Sequence, residues 1–290
     1  MNKIVKPFEL YLPAGEAIPL VCDSPHSGVY YPDDFQAAIP QARLREGEDT
    51  HVDALWRAAP EFGATLLAAN FPRVYIDANR TLDDLDESLL ETPWPEPLQP
   101  GPKTHLGFGL IWRNIDKNTP IYGRKLTVDE VRARIDQYYR PYHASLSAAI
   151  DTAYQRFGAV WHLNLHSMPN NAYERLGMNS PHPLADFVLG DRDGTTCDAE
   201  FVQLVASELR SLGYSVAIND PYKGVELIAR IGDPSKRRNS LQIEARRPIY
   251  MDEKTREPNE RFADVQRDMT HVLQKLADYI CKQCHASLHK

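Results

Sequence analysis

The sequence predicts an α/β fold in which helices cover both faces of a mostly parallel, mixed central sheet. Three features indicate this class. Short apolar runs alternate with helical patterns along most of the chain, polar residues follow directly where the apolar runs end, and no internal repeat or low-complexity linker interrupts the pattern. Strands that alternate with helices form crossover units, whose helices pack on both sides of the sheet. We expect a single domain over residues 1–290, a length that can bury one sizeable core.

The first half of the chain contains three predicted strands and one predicted helix. Residues 18–24 form an apolar run that ends at a Pro-His-Ser-Gly turn, which is typical of a buried strand. Residues 48–63 predict a helix, because acidic residues stand at its start, apolar residues repeat along one face, and a glycine closes it. Residues 64–70 and 73–79 are two further strand candidates, and residues 81–125 form a long, partly irregular excursion.

The second half continues the alternation of helices and strands. Residues 127–157 have a helical pattern that we expect to break at Pro141, since proline lacks the N–H that a helix interior needs. Further helices are predicted near 197–212 and from about 257 onward. Four more strands are predicted, over residues 159–167, 185–191, 214–220 and 239–247.

Composition narrows the class of protein. The formal net charge of −7 argues against a nucleic acid or an anionic membrane surface as partner, although a local cationic pocket could still bind a small anion. Four scattered cysteines do not form a disulfide framework, and the C-x-x-C at Cys281 and Cys284 has no second copy. The first residues lack the apolar run of a signal peptide, and no apolar run approaches the ~18 residues of a membrane span. We therefore expect a cytoplasmic protein.

Polar residues recur where the predicted strands end, at the edge of the sheet where α/β proteins bind ligands. His26 follows the first strand, Arg80 follows the third, His166 ends the fourth, Glu244 lies near the end of the last, and Asp49 stands at the start of the first helix. Two histidines, an acid, an arginine and a glutamate at one edge of a sheet would form a metal hydrolase site.

These residue types suit metal-dependent amide hydrolysis. Zinc accepts imidazole nitrogen and carboxylate oxygen and uses three protein ligands in catalytic sites. The metal polarises a carbonyl and lowers the pKa of water towards ~7, a glutamate carries protons, and an arginine stabilises an oxyanion. Structural alternatives stay open: His26 could bond to loop backbone, Asp49 could favour a helix start, and Arg80 could form a surface salt bridge. No H-E-x-x-H motif is present, so spacing alone does not decide between them.

With these residues assembled, the chain resembles the N-formylglutamate amidohydrolase (N-formylglutamate deformylase) family over nearly its whole length. The resemblance is carried by SPHSGVYYPDDF, DTHVDALW, RVYIDANR, NLHSMP, LGDRDGTTC, PYKGVELIARIGDP and LQIEARRPIYMDE. One position departs from the family pattern, because a second glycine is expected in PYKGV where this chain has Val225. The family is similar to zinc carboxypeptidases and aspartoacylases, so the resemblance implies a zinc-carboxypeptidase-like, phosphorylase/hydrolase-like sheet.

The resemblance also implies roles for individual residues. His26 and His166 would be the first and last ligands of a zinc ion, with another divalent metal as the alternative. Glu244 would be the general base, and Asn79 and Arg80 would bind the substrate, with Arg80 polarising its carbonyl. The second ligand is open, since zinc carboxypeptidases place an acid three residues after the first histidine, where this chain has valine. Asp49 is our choice for that ligand; the alternatives are Glu48 and Asp53.

The substrate implied by the resemblance is N-formyl-L-glutamate, hydrolysed to formate and L-glutamate in histidine breakdown. Its two carboxylates require cations, preferably arginines that bind them in bidentate fashion. The candidates are Arg113, Lys223, Arg246 and Arg247, each of which could instead be a solvated surface charge. The expected partner is thus a small anionic N-acyl amino acid, while the oligomeric state stays open.

Two functions other than N-formylglutamate hydrolysis are compatible with these residues. A related zinc deacylase or carboxypeptidase would act on other N-acyl amino acids with the same residues. A non-catalytic binding protein on the same fold would have no need to retain His26, Arg80, His166 and Glu244 together. Their joint presence therefore favours an enzyme.

Overall fold

The structure of the chain is a computed structural model that describes residues 6–288. Its strands are β1 (Phe8–Tyr11), β2 (Leu20–Ser24), β3 (Thr65–Ala69), β4 (Val160–Met168), β5 (Phe187–Gly190), β6 (Val216–Ile218) and β7 (Arg238–Arg246). They form a seven-stranded sheet in the order β1-β3-β2-β4-β7-β5-β6. The pairs β2–β4, β4–β7 and β5–β6 are parallel, and β5–β7 is antiparallel. The predicted α/β class with a mixed sheet is confirmed.

Helices of very different length connect these strands. They are α1 (Gln41–Leu44), α2 (Val52–Leu55), α3 (Pro102–His105), α4 (Val128–Arg134), α5 (Arg140–Phe157), α6 (Ala172–Arg175), α7 (Ala199–Ser211), α8 (Glu226–Ile231) and α9 (Phe262–Leu288). The side chain of Asp198 caps α7 by accepting from the N–H of Glu200. Residues 6–288 contain no helix with both the length and the apolar character that a membrane span requires.

The two central strands, β4 and β7, have one apolar and one polar face. Leu163 and Leu165 of β4 and Ile243 of β7 belong to the main hydrophobic core, which also contains the apolar sides of α7 and α9. Successive side chains of a strand point to opposite faces, so the residues between them lie on the other side of the sheet. That side carries His162, Asn164 and His166 on β4 and Ser240, Gln242 and Glu244 on β7, all buried.

Two predicted elements in the first half are wrong. The helix over 48–63 is limited to the four residues of α2 and a 3₁₀ turn at Ala59–Phe62, because His51 has a left-handed φ of 68° and Pro60 interrupts the backbone hydrogen bonds. Residues 73–79 form turns and not a strand. There the carboxylate of Asp77 accepts from the N–H of Asn79, a local bond that competes with pairing in a sheet.

The predicted break at Pro141 is also wrong. A π-helical turn over Ile135–Tyr139 joins α4 to α5, and Pro141 lies in the first turn of α5. A proline ring clashes with the carbonyl four residues earlier in a regular α-helix, and the wider π turn provides room for it. The strand β1 and the helix α8 were not predicted, since each is short and β1 is only partly buried.

The described residues divide into two compact units. One comprises residues 6–9, 25–50 and 68–146, and the other comprises residues 10–24, 51–67 and 147–288. In the first, the buried guanidinium of Arg134 lies 4.1 Å from the ring centroid of Tyr75 and donates to Tyr122 Oη. The second contains the main hydrophobic core. The single domain over residues 1–290 stays a prediction.

Candidate metal centre

Three of the predicted ligands form a group with the spacing of a metal site. His26, Asp49 and His166 each offer one ligand atom, and these atoms all lie within 4.8 Å of one another. Two ligand atoms that each lie ~2.0–2.2 Å from one ion are at most about 4.4 Å apart, which is close to the spread of this group. The exposed fractions of the three residues are 1%, 1% and 3%. Two imidazoles and a carboxylate that are withdrawn from water in this way fit the donor set that zinc prefers.

The two other acids considered for the second ligand are engaged elsewhere. Glu48 accepts hydrogen bonds from Tyr31 Oη at 2.7 Å and from Thr50 Oγ1 at 2.9 Å. Asp53 forms an ion pair with Arg57 at 3.2 Å. Burial raises the pKa of Asp53, and Arg57 opposes that shift.

A tight turn after β2 holds His26 and Asp49 in place. The backbone N–H of Asp49 donates to the carbonyl of His26 at 3.0 Å. A Cβ atom at Gly28 would lie 2.3 Å from the carbonyl oxygen of Phe71, so no larger residue fits without displacing backbone. The Pro-His-Ser-Gly turn is therefore packed directly against the backbone of residues 70–71.

A buried carboxylate, Asp77, orients the ring of His26. His26 Nε2 lies 2.7 Å from Asp77 Oδ1, while Nδ1 lies 3.4 Å from Asp49 Oδ2. An ionised carboxylate only accepts, so Nε2 donates and Nδ1 is the nitrogen left to coordinate a metal. A carboxylate behind a ligating histidine fixes its tautomer and increases its basicity.

Asp77 remains ionised although it is fully buried. Burial alone would raise the pKa of this carboxyl, but the charges of Arg73 and Arg80 and the hydrogen bond from His26 hold it well below its usual range. Arg73 Nη2 donates to Asp77 Oδ2 at 2.9 Å and Trp112 Nε1 donates to the same oxygen at 3.2 Å. Asp77 lies in the segment 73–79 that was predicted as a strand, and the sequence analysis gave it no role.

Glu244 stands beside His166 in the sheet. The parallel register of β4 and β7 makes the two residues Cα partners, on the polar face of both strands. Gln242 Nε2 donates to Glu244 Oε1 at 3.0 Å. The carboxylate is 8% exposed, so it is nearly withdrawn from bulk water.

Arg80 is held by backbone carbonyls. Its Nε donates to the carbonyl of Phe108 at 3.0 Å and its Nη1 to the carbonyl of Asn79 at 2.8 Å. Burial lowers its pKa, and the carboxylate of Asp77 opposes that shift. Asn79 itself is buried and contributes its N–H to Asp77.

The four cations considered for the substrate carboxylates have different surroundings. Three are paired with acids: Arg113 with Asp86 at 2.7 Å, Lys223 with Asp193 at 2.9 Å, and Arg246 with Asp186 at 2.6 Å. Arg247 is 4% exposed, and its Nε donates at 3.2 Å to the hydroxyl of Ser167, the residue after His166. The roles of all four stay predictions.

Comparisons with known proteins agree with the resemblance read from the sequence. Residues 18–251 match the family model described as N-formylglutamate amidohydrolase. The N-formylglutamate deformylase of Pseudomonas putida is 30% identical over 246 residues, covering 81% of this chain and 83% of that protein. The protein of the same name from Pseudomonas aeruginosa is 27% identical over 269 residues, covering 90% of this chain and 92% of that protein.

Solved structures give the same result for the fold. The crystal structure of N-formylglutamate amidohydrolase from Ralstonia eutropha JMP134 is 68% identical, with a TM-score of 0.95 over 96% of this chain and all of that chain. A gene product of Agrobacterium tumefaciens, 17% identical over 99% of this chain and 98% of its own, has a TM-score of 0.64 and shares the fold alone.

Proposed function

Because this chain belongs to the N-formylglutamate amidohydrolase family, we propose that it hydrolyses N-formyl-L-glutamate to formate and L-glutamate. The observation that carries the proposal is the buried group of His26, Asp49 and His166, with Glu244 next to His166 in the sheet. Amide hydrolysis needs a Lewis acid, a proton carrier and shielding from water. A metal held by the three ligands would supply the first, Glu244 can supply the second, and the burial of these residues supplies the third.

We propose that the metal is zinc and that the same three residues hold it, with another divalent metal as the alternative. Bound there, zinc would supply a Lewis acid that polarises the formyl carbonyl and acidifies water. Glu244 takes a proton from the attacking water and delivers it to the amine nitrogen of the departing glutamate. The new C–O bond forms first, and the C–N bond of the amide breaks once its nitrogen has received the proton.

Arg80 is proposed to stabilise the negative charge that develops on the formyl oxygen. A guanidinium held by two backbone carbonyls need not reorganise during the reaction, which makes its charge effective. Asn79, directly before it, is proposed to bind the substrate.

The four free cysteines support the further proposal that the enzyme works in a reducing cytoplasm. Its membership of the family supports the proposal that it acts in histidine breakdown.

A substrate panel tests the proposed function. The purified enzyme should release glutamate rapidly from N-formyl-L-glutamate and slowly from N-acetyl-L-glutamate and a glutamyl peptide. Faster release from the acetyl compound or the peptide would favour the deacylase or the carboxypeptidase. No release from any of them would favour a binding protein, for which calorimetry with the same compounds is the matching measurement.

Asp77 should control the affinity for the metal. Asp77→Asn keeps the shape of the side chain but removes the charge that orients His26, and we expect about 10–100-fold weaker zinc binding. Competition with a chelator of known affinity measures the change. Asp191→Asn is the matched control, because Asp191 is also buried and accepts from Asn219 Nδ2. Unchanged zinc affinity in folded Asp77→Asn would contradict the role given to Asp77.

Arg247 is our choice for the cation that binds a substrate carboxylate. It is buried and contacts Ser167, directly after His166, whereas Arg246 pairs with Asp186. Losing one member of a buried, hydrogen-bonded charge pair costs about 2–5 kcal/mol. Arg247→Gln should therefore lower kcat/KM for N-formylglutamate by roughly 30-fold or more, and far less for N-formylalanine.

Arg246→Gln is the control for this comparison. It removes a neighbouring arginine that forms an ion pair with Asp186 of the protein itself, so the loss of activity should be small and equal for the two substrates. Equal losses on the two substrates in Arg247→Gln would mean that this arginine is structural. A larger selective loss in Arg246→Gln would transfer the role to Arg246.

A further inference from the structure

A row of buried polar side chains crosses the polar face of β2, β4 and β7. Ser240 Oγ lies 2.7 Å from His162 Nδ1, and His162 Nε2 lies 2.9 Å from Asp23 Oδ1. The same oxygen of Asp23 accepts from Asn164 Nδ2 at 2.8 Å, and Asn164 Oδ1 lies 2.7 Å from His166 Nε2. The row therefore ends on a residue of the candidate metal centre.

This row is not a second catalytic site. Ser240, His162 and Asp23 have the residue types of a hydrolase triad, but each has no exposed surface. A substrate cannot reach a hydroxyl that is enclosed in this way, and Ser240 lies in the interior of a strand that is paired with β4. The row can therefore act only on other side chains of the protein that it contacts.

The direction of each hydrogen bond follows from Asp23. A carboxylate only accepts, so the group of Asn164 that faces Asp23 must be its NH₂. The amide oxygen of Asn164 then faces His166, and an amide oxygen also only accepts. His166 Nε2 must carry the proton, which leaves Nδ1 as the nitrogen with a lone pair for a metal.

We propose that Asp23 and Asn164 form a positioning relay that sets the tautomer and the ring orientation of His166. The relay rests on the proposed function only in that His166 is taken as a metal ligand. Without the charge of Asp23, Asn164 could turn its NH₂ toward His166, whose Nε2 would then accept. The proton would move to Nδ1, and that tautomer cannot coordinate through Nδ1. The two histidines of the centre are thus oriented differently, His26 by a carboxylate and His166 by an amide that a carboxylate holds in place.

The tautomer itself can be measured without any metal. Two-bond ¹H–¹⁵N spectra of metal-free protein labelled at histidine distinguish a protonated from an unprotonated ring nitrogen, and the His166→Gln spectrum identifies the signals of His166. In the wild-type chain we expect the proton of His166 on Nε2. In Asp23→Asn and Asn164→Ala we expect a shift toward the Nδ1–H form. A proton on Nδ1 in the wild type would overturn the relay.

Zinc affinity is the second readout. Asn164→Ala should bind zinc about 10–100-fold more weakly in chelator competition, as is usual when a partner of a ligating histidine is lost. Asn239→Ala is the matched control: Asn239 is a buried asparagine of β7 that accepts from the N–H of Asp198, and its loss should lower Tm but leave zinc affinity unchanged. Folded Asn164→Ala with wild-type affinity would overturn the relay.

The two readouts separate this inference from the proposed function. If Asp23→Asn does not fold, Asn164→Ala and Asn164→Ser carry the test, since both leave the contact of Asp23 with His162 intact. If the wild-type chain binds no zinc, the proposed metal centre fails, and the tautomer of His166 still decides the relay. If zinc binds and the tautomer is Nδ1–H, the proposed function stands and the relay is overturned.

Discussion

Replacing Glu244 by Gln should lower kcat for N-formylglutamate by about 10²–10⁴-fold, the usual contribution of a positioned acid–base group. Glutamine has nearly the same shape and can still bond to Gln242, but it cannot take up a proton. Because Glu244 is not among the three grouped ligands, the zinc content of the variant should equal that of the wild type. Single-turnover kinetics together with metal analysis would measure both quantities.

The control for this variant is Glu208→Gln on α7, where the carboxylate faces His271 at 3.8 Å. Its turnover should be close to that of the wild type. Near-normal turnover in Glu244→Gln would mean that another carboxylate carries the proton. Loss of zinc from that variant would instead make Glu244 a ligand, and the ligand set would have to be redrawn.

Removing the metal should abolish activity without unfolding the chain. A metal Lewis acid contributes several kcal/mol to the transition state, so its removal should cost on the order of 10³-fold in rate. The main hydrophobic core contains none of the three ligands, and the circular dichroism spectrum should therefore change little. Dialysis against dipicolinate, followed by titration with zinc, would measure the loss and the recovery. Full activity in protein freed of metal would contradict a metal-dependent mechanism.

The same titration decides which acid is the second ligand. Asp49→Ala should recover little activity at any ordinary zinc concentration, whereas Glu48→Gln, which alters the neighbouring buried acid, should recover with nearly wild-type affinity. Glu48 serves well for this comparison because its carboxylate is already held by Tyr31 and Thr50. The opposite result would assign the ligand to Glu48.

The strands at the centre of the sheet were predictable because their sequences have a simple pattern. β2, β4 and β7 are apolar on the side of the core, and they are bounded by turns. The segments 48–63 and 73–79 were misread because they are as rich in apolar residues as the regular elements, although only residues 52–55 and 59–62 of them are helical. Their backbone is set by a left-handed residue, a proline and local side-chain bonds, whose effects depend on tertiary contacts that a hydrophobic pattern does not record.

The candidate site was predictable to a similar degree. Strand ends of a parallel sheet meet at one edge, beside the starts of the helices that follow them. This is why His26 and His166 at strand ends and Asp49 at a predicted helix start could be selected together before their spacing was known. The residues that hydrogen-bond to these ligands, such as Asp77 and Asn164, were not selected, because the selection considered only strand ends and helix starts. The alternation of His162, Asn164 and His166 was the available signal. The sequence also does not show whether a long cationic side chain, such as that of Arg246, forms an ion pair within the protein.

The central strand pairs join parts of the chain that are far apart in sequence. β2 pairs with β4 so that Asp23 lies opposite Asn164, and β4 pairs with β7 so that His166 lies opposite Glu244. Closing such long loops costs entropy before the pairing stabilises the chain, so we expect these pairs to form late in folding. A nascent chain on the ribosome exposes both histidines of the centre well before β7 has been synthesised. A product that terminates before β7 would carry every proposed metal ligand but lack both the proposed base and the strand that pairs with β4, so the proposed site is complete only after β7 has been added.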